Sequence, residues 1–160
     1  MEYELDEDEL AELSERTQIW EQLRAAFAAR QRPGELLAHS CVYTEDVAWA
    51  VSGKSWDELA AVDLLQIRMD LRCLLPEAFW YFFPAFVHHC LFGTEEAGDP
   101  GFWVVWVLTP PPEDRLSSFD ELVRLLSLNE RAAVTRFVRW YSDCESCLDG
   151  RERLLAFWSS

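Results

Sequence analysis

A chain of 160 residues, half of them hydrophobic, is long enough for one domain with a core of its own. Acids outnumber bases 29 to 14, a formal charge of −15, which excludes the clustered Lys and Arg that nucleic acid demands and disfavours an anionic membrane surface. The charge is concentrated at one end: Glu2, Glu4, Asp6, Glu7, Asp8, Glu9, Glu12 and Glu15 fall among the first fifteen residues, where no base occurs.

Acids in and before a first helical turn suit the helix dipole, so this run reads as a well-started, solvated helix. It also reads as a docking surface for a basic partner, with Glu4, Asp6, Glu7 and Asp8 at its tip, because opposite charge steers association. Five cysteines (Cys41, Cys73, Cys90, Cys144, Cys147) are an odd number without the spacing of a secreted framework, and are read as reduced thiols. The acidic start lacks the pattern of a signal peptide, and the longest apolar run, Ala78 to Val87, is too short to span a membrane; the expected compartment is the cytosol. Thirteen arginines against the single Lys54, with abundant Ala and Leu, suggest a GC-rich bacterial source.

Leu13, Trp20 and Phe27 fall at seven-residue steps with Ile19, Leu23 and Ala26 beside them, opposite Glu15, Glu21 and Arg24. This predicts an amphipathic first helix over residues 4–31, ended by Pro33-Gly34. Residues 36–43 fit a short strand or a loop, and Thr44 with Glu45 and Asp46 fits a cap before a short helix through Trp49. Three serine-to-glutamate capping boxes follow, at Ser55–Glu58, Ser118–Glu121 and Ser127–Glu130. The first predicts a helix of about eighteen residues with Leu64, Ile67, Leu71 and Leu74 on one face. The last predicts one with Val134, Phe137, Val138 and Tyr141 inward and Arg131, Arg136 and Arg139 outward.

Between them lies LLPEAFWYFFPAFVHH, from Leu74 to His89. Pro76 fits a first turn, Glu77 suits its positive end, and apolar residues all round predict a helix enclosed on most sides and kinked at Pro84. Residues 93–101 read as a loop. Residues 102–108 could form a strand by β-branching, but a lone strand has no partner, so a buried short helix is preferred. A terminal helix is expected near Arg151 to Trp158. No repeat or low-complexity linker divides the chain.

Motifs for chemistry are sparse. Gly53-Lys54-Ser55 has the ending of a phosphate-binding loop, but Ala48 stands where that loop needs glycine. Cys144 and Cys147 have the spacing of a zinc or redox pair, yet Cys90, His88, His89 and His39, the other zinc-ligand candidates, lie far away in sequence. His88 and His89 diverge by about 100° on a helix and do not form a metal pair. For an enzyme the nearest candidates are Glu77, His88 and His89, whose burial could displace their titration, and a Cys–His pair brought together in space stays open. Eight tryptophans exceed what so small a core holds, and Trp103 and Trp106 are the expected pair at a partner surface.

Ser55–Leu59, Leu74–Phe86, Trp106–Pro112 and Leu126–Tyr141 together resemble an uncharacterised bacterial family with a leucine-proline-glutamate-aromatic-tyrosine-proline-alanine core segment. The resemblance covers about residues 40–142, with Phe83 where the family has leucine, and implies a compact helical fold without transferring any catalytic residue.

The expected fold is mainly α: a compact single-domain bundle of about six or seven helices, with at most one short strand or hairpin. An acidic helix 4–31 leads, residues 40–142 form the core and 143–160 a helical tail. The expected function is a non-enzymatic protein-binding module, of immunity or regulatory type in a bacterial conflict system, with a protein partner of basic character and no cofactor. The competing expectation is a zinc-binding or thiol-redox protein using Cys144 and Cys147.

Overall fold

The computed structural model describes residues 4–34, 44–93, 100–112, 116–145 and 149–160, and among them regular structure is helical, with no strand. The expected strand-or-loop segment 36–43 lies outside them, as do Cys41 and Cys147.

Helix α1 (Glu7–Phe27) starts at a capping box that the serine pattern does not reveal. The Asp6 carboxylate accepts from the Glu9 N–H at 2.8 Å, and Glu9 accepts from the Asp6 N–H at 3.0 Å. Its buried stripe is Ile19, Leu23 and Phe27. Leu13, expected to share that stripe, is 42 % exposed. Helix α2 (Thr44–Val51) buries Val47, Ala50 and Val51, then turns at Gly53, whose φ of 68° is the left-handed region glycine favours.

The long helix expected from Ser55 is three pieces: a 3-10 turn (Trp56–Glu58), helix α3 (Ala61–Ile67) and a second 3-10 stretch (Arg68–Cys73). Asp63 causes the first break, because its carboxylate accepts from the Ala60 N–H at 2.9 Å and makes a competing helix start. The same carboxylate pairs with Lys54 Nζ at 3.0 Å, which absorbs the lysine of the apparent phosphate loop. Asp70, at φ −112° and ψ 19°, breaks helical geometry again, and Leu74 and Leu75 are extended ahead of Pro76. The apolar face survives the breaks: Leu64, Ile67, Leu71 and Leu74 are all buried.

Helix α4 (Pro76–Phe92) is the axis of the fold. Every residue from Ala78 to Val87 is buried, and the helix continues past Pro84. Helix α5 (Pro100–Leu108) starts on a proline, so the loop expected through Gly101 ends before residue 100. Helix α6 (Leu116–Arg124) already contains Ser118, which is therefore no N-cap. Helix α7 (Leu128–Cys144) does begin at its box: Ser127 Oγ accepts from the Glu130 N–H at 3.2 Å and Glu130 from the Ser127 N–H at 2.8 Å. Helix α8 (Arg151–Trp158) closes the chain and is tied to α5 by the buried Trp158 indole, which donates to the Leu108 carbonyl at 2.9 Å.

Val134, Phe137, Val138 and Tyr141 of α7 are buried as expected. The arginines beside them are not free: Arg136 donates to Gln22 and Gln18 at 3.1 Å each, Arg139 to Ser159 at 3.3 Å, and Arg131 lies over Phe157 at 5.0 Å.

Two antiparallel packings set the register of α1. Against α7, Arg30 meets Glu130 at 2.7 Å, Arg136 meets Gln22 and Gln18, and Arg16 lies over Trp140 at 5.9 Å. Against α4, Phe27 meets Phe83 at 5.6 Å, Trp20 meets His88 at 4.8 Å, and Arg16 donates to the Leu91 carbonyl at 3.4 Å. Helix α4 thus ends level with Arg16 of α1, and α7 ends about one turn further on, near Glu12.

Candidate functional site

Among the described residues, the register leaves the start of α1 without helix neighbours. Beyond Glu12 neither α4 nor α7 continues, so Glu7 to Ala11 overhang both by about 7 Å at 1.5 Å per residue. Residues 4–15 are exposed without exception. Asp6 and Glu9 use their carboxylates on the cap, and Glu12 pairs with Arg16 one turn on. Glu4, Glu7 and Asp8 stand out in solvent, and beside them Leu10 and Leu13, three residues apart on one face, are 52 % and 42 % exposed. The exposed stretch 4–15 thus carries acids and leucines together.

A second feature lies at the other end of α4. A cleft of about 610 Å³ is floored by the buried side chains of Leu71, Leu74, Phe79 and Leu122 and walled by Pro110 to Pro112. The Arg72 guanidinium stands 3.7 Å over the Trp106 ring at its rim, and partial burial pushes the Arg72 pKa down. Arg153 of α8 also lines the cleft, with Glu121 and Asp149 as the acids. Pro76 and Glu121 are shared with a smaller hollow of about 370 Å³ that Glu77 and Arg124 border.

The residues expected at a partner surface are therefore divided. Phe79 at the cleft and Leu91, level with Arg16, are twelve residues apart on α4, roughly 18 Å of rise, and the acids lie beyond Leu91. Trp106 is 43 % exposed on the cleft rim, whereas Trp103 is half-buried against the core with its ring 6.4 Å from Trp106. The most exposed tryptophan is Trp49, at 73 %, which the sequence reading did not single out. The spacing Val47, Ala50, Val51 was the available signal, since that buried stripe leaves position 49 on the outer face of α2.

The structure does not assemble Glu77, His88 and His89. Glu77 is exposed at the start of α4 and His88 exposed near its end, eleven residues away, roughly 16 Å. His88 packs edge-on against Trp20 at 4.8 Å and near Phe92 at 5.3 Å; partial burial and the neighbouring His89 lower its pKa. Among the described residues no three His, Cys, Asp or Glu side chains form a metal-holding group. Partial burial pushes the Cys144 thiol up, and Glu12, Asp143 and Glu15 push the same way against an opposing Arg16. That works against the thiolate that zinc binding and redox exchange both require. No helix among the described residues is long and apolar enough to cross a membrane. No protein-family model, curated protein or solved structure matches the chain.

Proposed function

We propose that the chain is a protein-binding module whose overhanging α1 presents acids and leucines to a basic amphipathic segment of a partner protein. The observation that supports this reading is the joint exposure of Leu10 and Leu13 on a helix end bearing Glu4, Glu7 and Asp8. A solvated helix start accounts for the acids through the dipole, but it gives no reason for two leucines that stand 52 % and 42 % exposed. Charge steers the encounter, and the apolar face supplies contact that salt does not screen. Such a surface suits an immunity-type or regulatory protein of a bacterial conflict system, where an acidic protein masks a basic one.

A synthetic leucine-lysine amphipathic peptide provides the probe. Its affinity should fall about tenfold in the triple variant Glu4→Gln, Glu7→Gln, Asp8→Asn, which leaves the Asp6–Glu9 cap intact, and about as far in Leu10→Ser, Leu13→Ser. A scrambled peptide of the same composition should bind more weakly. Equal binding of the scrambled peptide, or indifference to both variants, would remove the proposal.

A further inference from the structure

The geometry points to a second binding site, the cleft between α4, α5, α6 and α8, which takes a small apolar monocarboxylate with its acid group on Arg72 and Arg153 and its hydrocarbon body on the Leu71, Phe79 and Leu122 floor. The site is independent of the α1 overhang, lying at the other end of α4. At about 610 Å³ the cleft is in the usual size range for small-molecule sites. Its floor is made of side chains already buried by the fold, so it is preformed.

The polar groups decide the class of ligand. Among the described residues the Arg72 guanidinium makes no hydrogen bond and no ion pair; its partner is the Trp106 ring, 3.7 Å from the guanidinium carbon. Stacking holds the plane of the group and leaves its in-plane N–H donors unused. Arg153 likewise has no hydrogen bond or ion pair among the described residues. Arg30, Arg136 and Arg151 are engaged, on Glu130, on Gln18 and Gln22, and on Asp143 and the Ser142 carbonyl. Arg24, Arg68 and Arg124 also have no hydrogen bond or ion pair among the described residues, and what sets Arg72 and Arg153 apart is that both line the larger cleft. Two guanidinium groups with no hydrogen-bond partner among the described residues, beside an apolar floor in a chain of net charge −15, mark a place where an anion with a hydrophobic body is better accommodated than water. Planar carboxylate matches the guanidinium fork, and Glu121 and Asp149 on the same rim disfavour anions of higher charge such as phosphate.

Titration of the intact chain with decanoate, decanol and decylamine below their micelle concentrations, followed by calorimetry, tests this. Decanoate should bind at least about tenfold more tightly than decanol, and decylamine should not compete. Arg72→Met and Arg153→Met, which keep the apolar stems, should each weaken decanoate about tenfold and leave decanol unchanged. Arg153 is exposed on α8, so its variant remains informative if Arg72→Met fails to fold. Equal binding of decanol and decanoate, or decanoate affinity unchanged in Arg153→Met with Arg72 intact and in Arg72→Lys, would overturn the assignment. So would a peptide that uses its C-terminal leucine carboxylate to displace decanoate at far lower concentration.

Discussion

Glu130 is the acid on which the folded state leans most heavily. Its carboxylate is nearly buried and takes a two-point clasp from Arg30, at 2.7 and 3.0 Å, while Arg30 also donates to the Leu125 carbonyl at 2.7 Å. Burial alone would raise the Glu130 pKa, but the Arg30 hydrogen bond, the Ser127 backbone N–H, the Arg30 charge and the Ser127 hydroxyl together outweigh it and hold the group below its ordinary 4.5. A folded-state pKa below the unfolded one contributes stability that is present above the unfolded value and lost as pH falls through the folded one. Glu130→Gln should therefore lower the urea midpoint at neutral pH by the equivalent of about 1–3 kcal/mol, since it takes the charged partner from a half-buried guanidinium. The gap to the parent chain should narrow below pH 4.5, as the parent carboxylate takes its own proton. A gap that is constant from neutral to acid pH would contradict this account of the pair. The clasp joins residues 100 positions apart, and nothing in the local sequence of either announces it.

At the scale of elements, two identical motifs make a controlled comparison. Ser127 caps α7, whereas Ser118 sits inside α6 and is exposed. Ser127→Ala should cost about 1 kcal/mol in chemical denaturation and Ser118→Ala less than about 0.5. Equal losses would mean that α6 starts at Ser118 after all. Gly93→Ala tests the end of α4: a Cβ there would overlap the His89 carbonyl oxygen, which already accepts the Gly93 N–H at 2.8 Å. The variant should destabilise by at least about 1 kcal/mol, read as a lower thermal midpoint, because relief requires the backbone of the helix end to shift.

The same comparisons explain which elements were legible in the sequence. Helix α4 was, because Pro76 at its start and a run that is apolar all round allow few other structures. The inward face of α7 was too, from spacing alone. The helix after Ser55 was not: Asp63 and Asp70 look like ordinary surface positions in a helical pattern, and only the structure shows one making a rival cap and the other leaving helical geometry. A capping box is a local signal, and local signals compete with those a few residues away.

For the molecule as a whole, the overhang of α1 was invisible for a different reason. Leu13 carries the same seven-residue signal as Phe27, yet Leu13 is exposed and Phe27 buried, while Leu10 lies about 180° round the helix from Ile19. The difference is set by where α4 and α7 stop, which is a property of the assembled bundle and not of α1. Leu23→Ala should therefore cost about 2–5 kcal/mol, while Leu10→Ser with Leu13→Ser should change the denaturation midpoint by less than about 0.5. Composition had identified the acids as a candidate surface, but it could not show that the expected tryptophans lie at the opposite end of α4. The cleft was likewise beyond sequence reasoning, since its lining comes from the segments on both sides of Pro76, from α5, α6 and α8, and from the turn between α5 and α6.

The most direct measurement is hydrogen exchange across the chain with and without the leucine-lysine peptide. Without it, amides of residues 7–11 should exchange far faster than those of 19–27, as an unsupported helix end does. With it, new protection should appear within residues 4–15 and fade with added salt. Protection confined to the cleft around Trp106, or none anywhere at a peptide concentration that saturates binding, would contradict the claim that α1 is the docking surface.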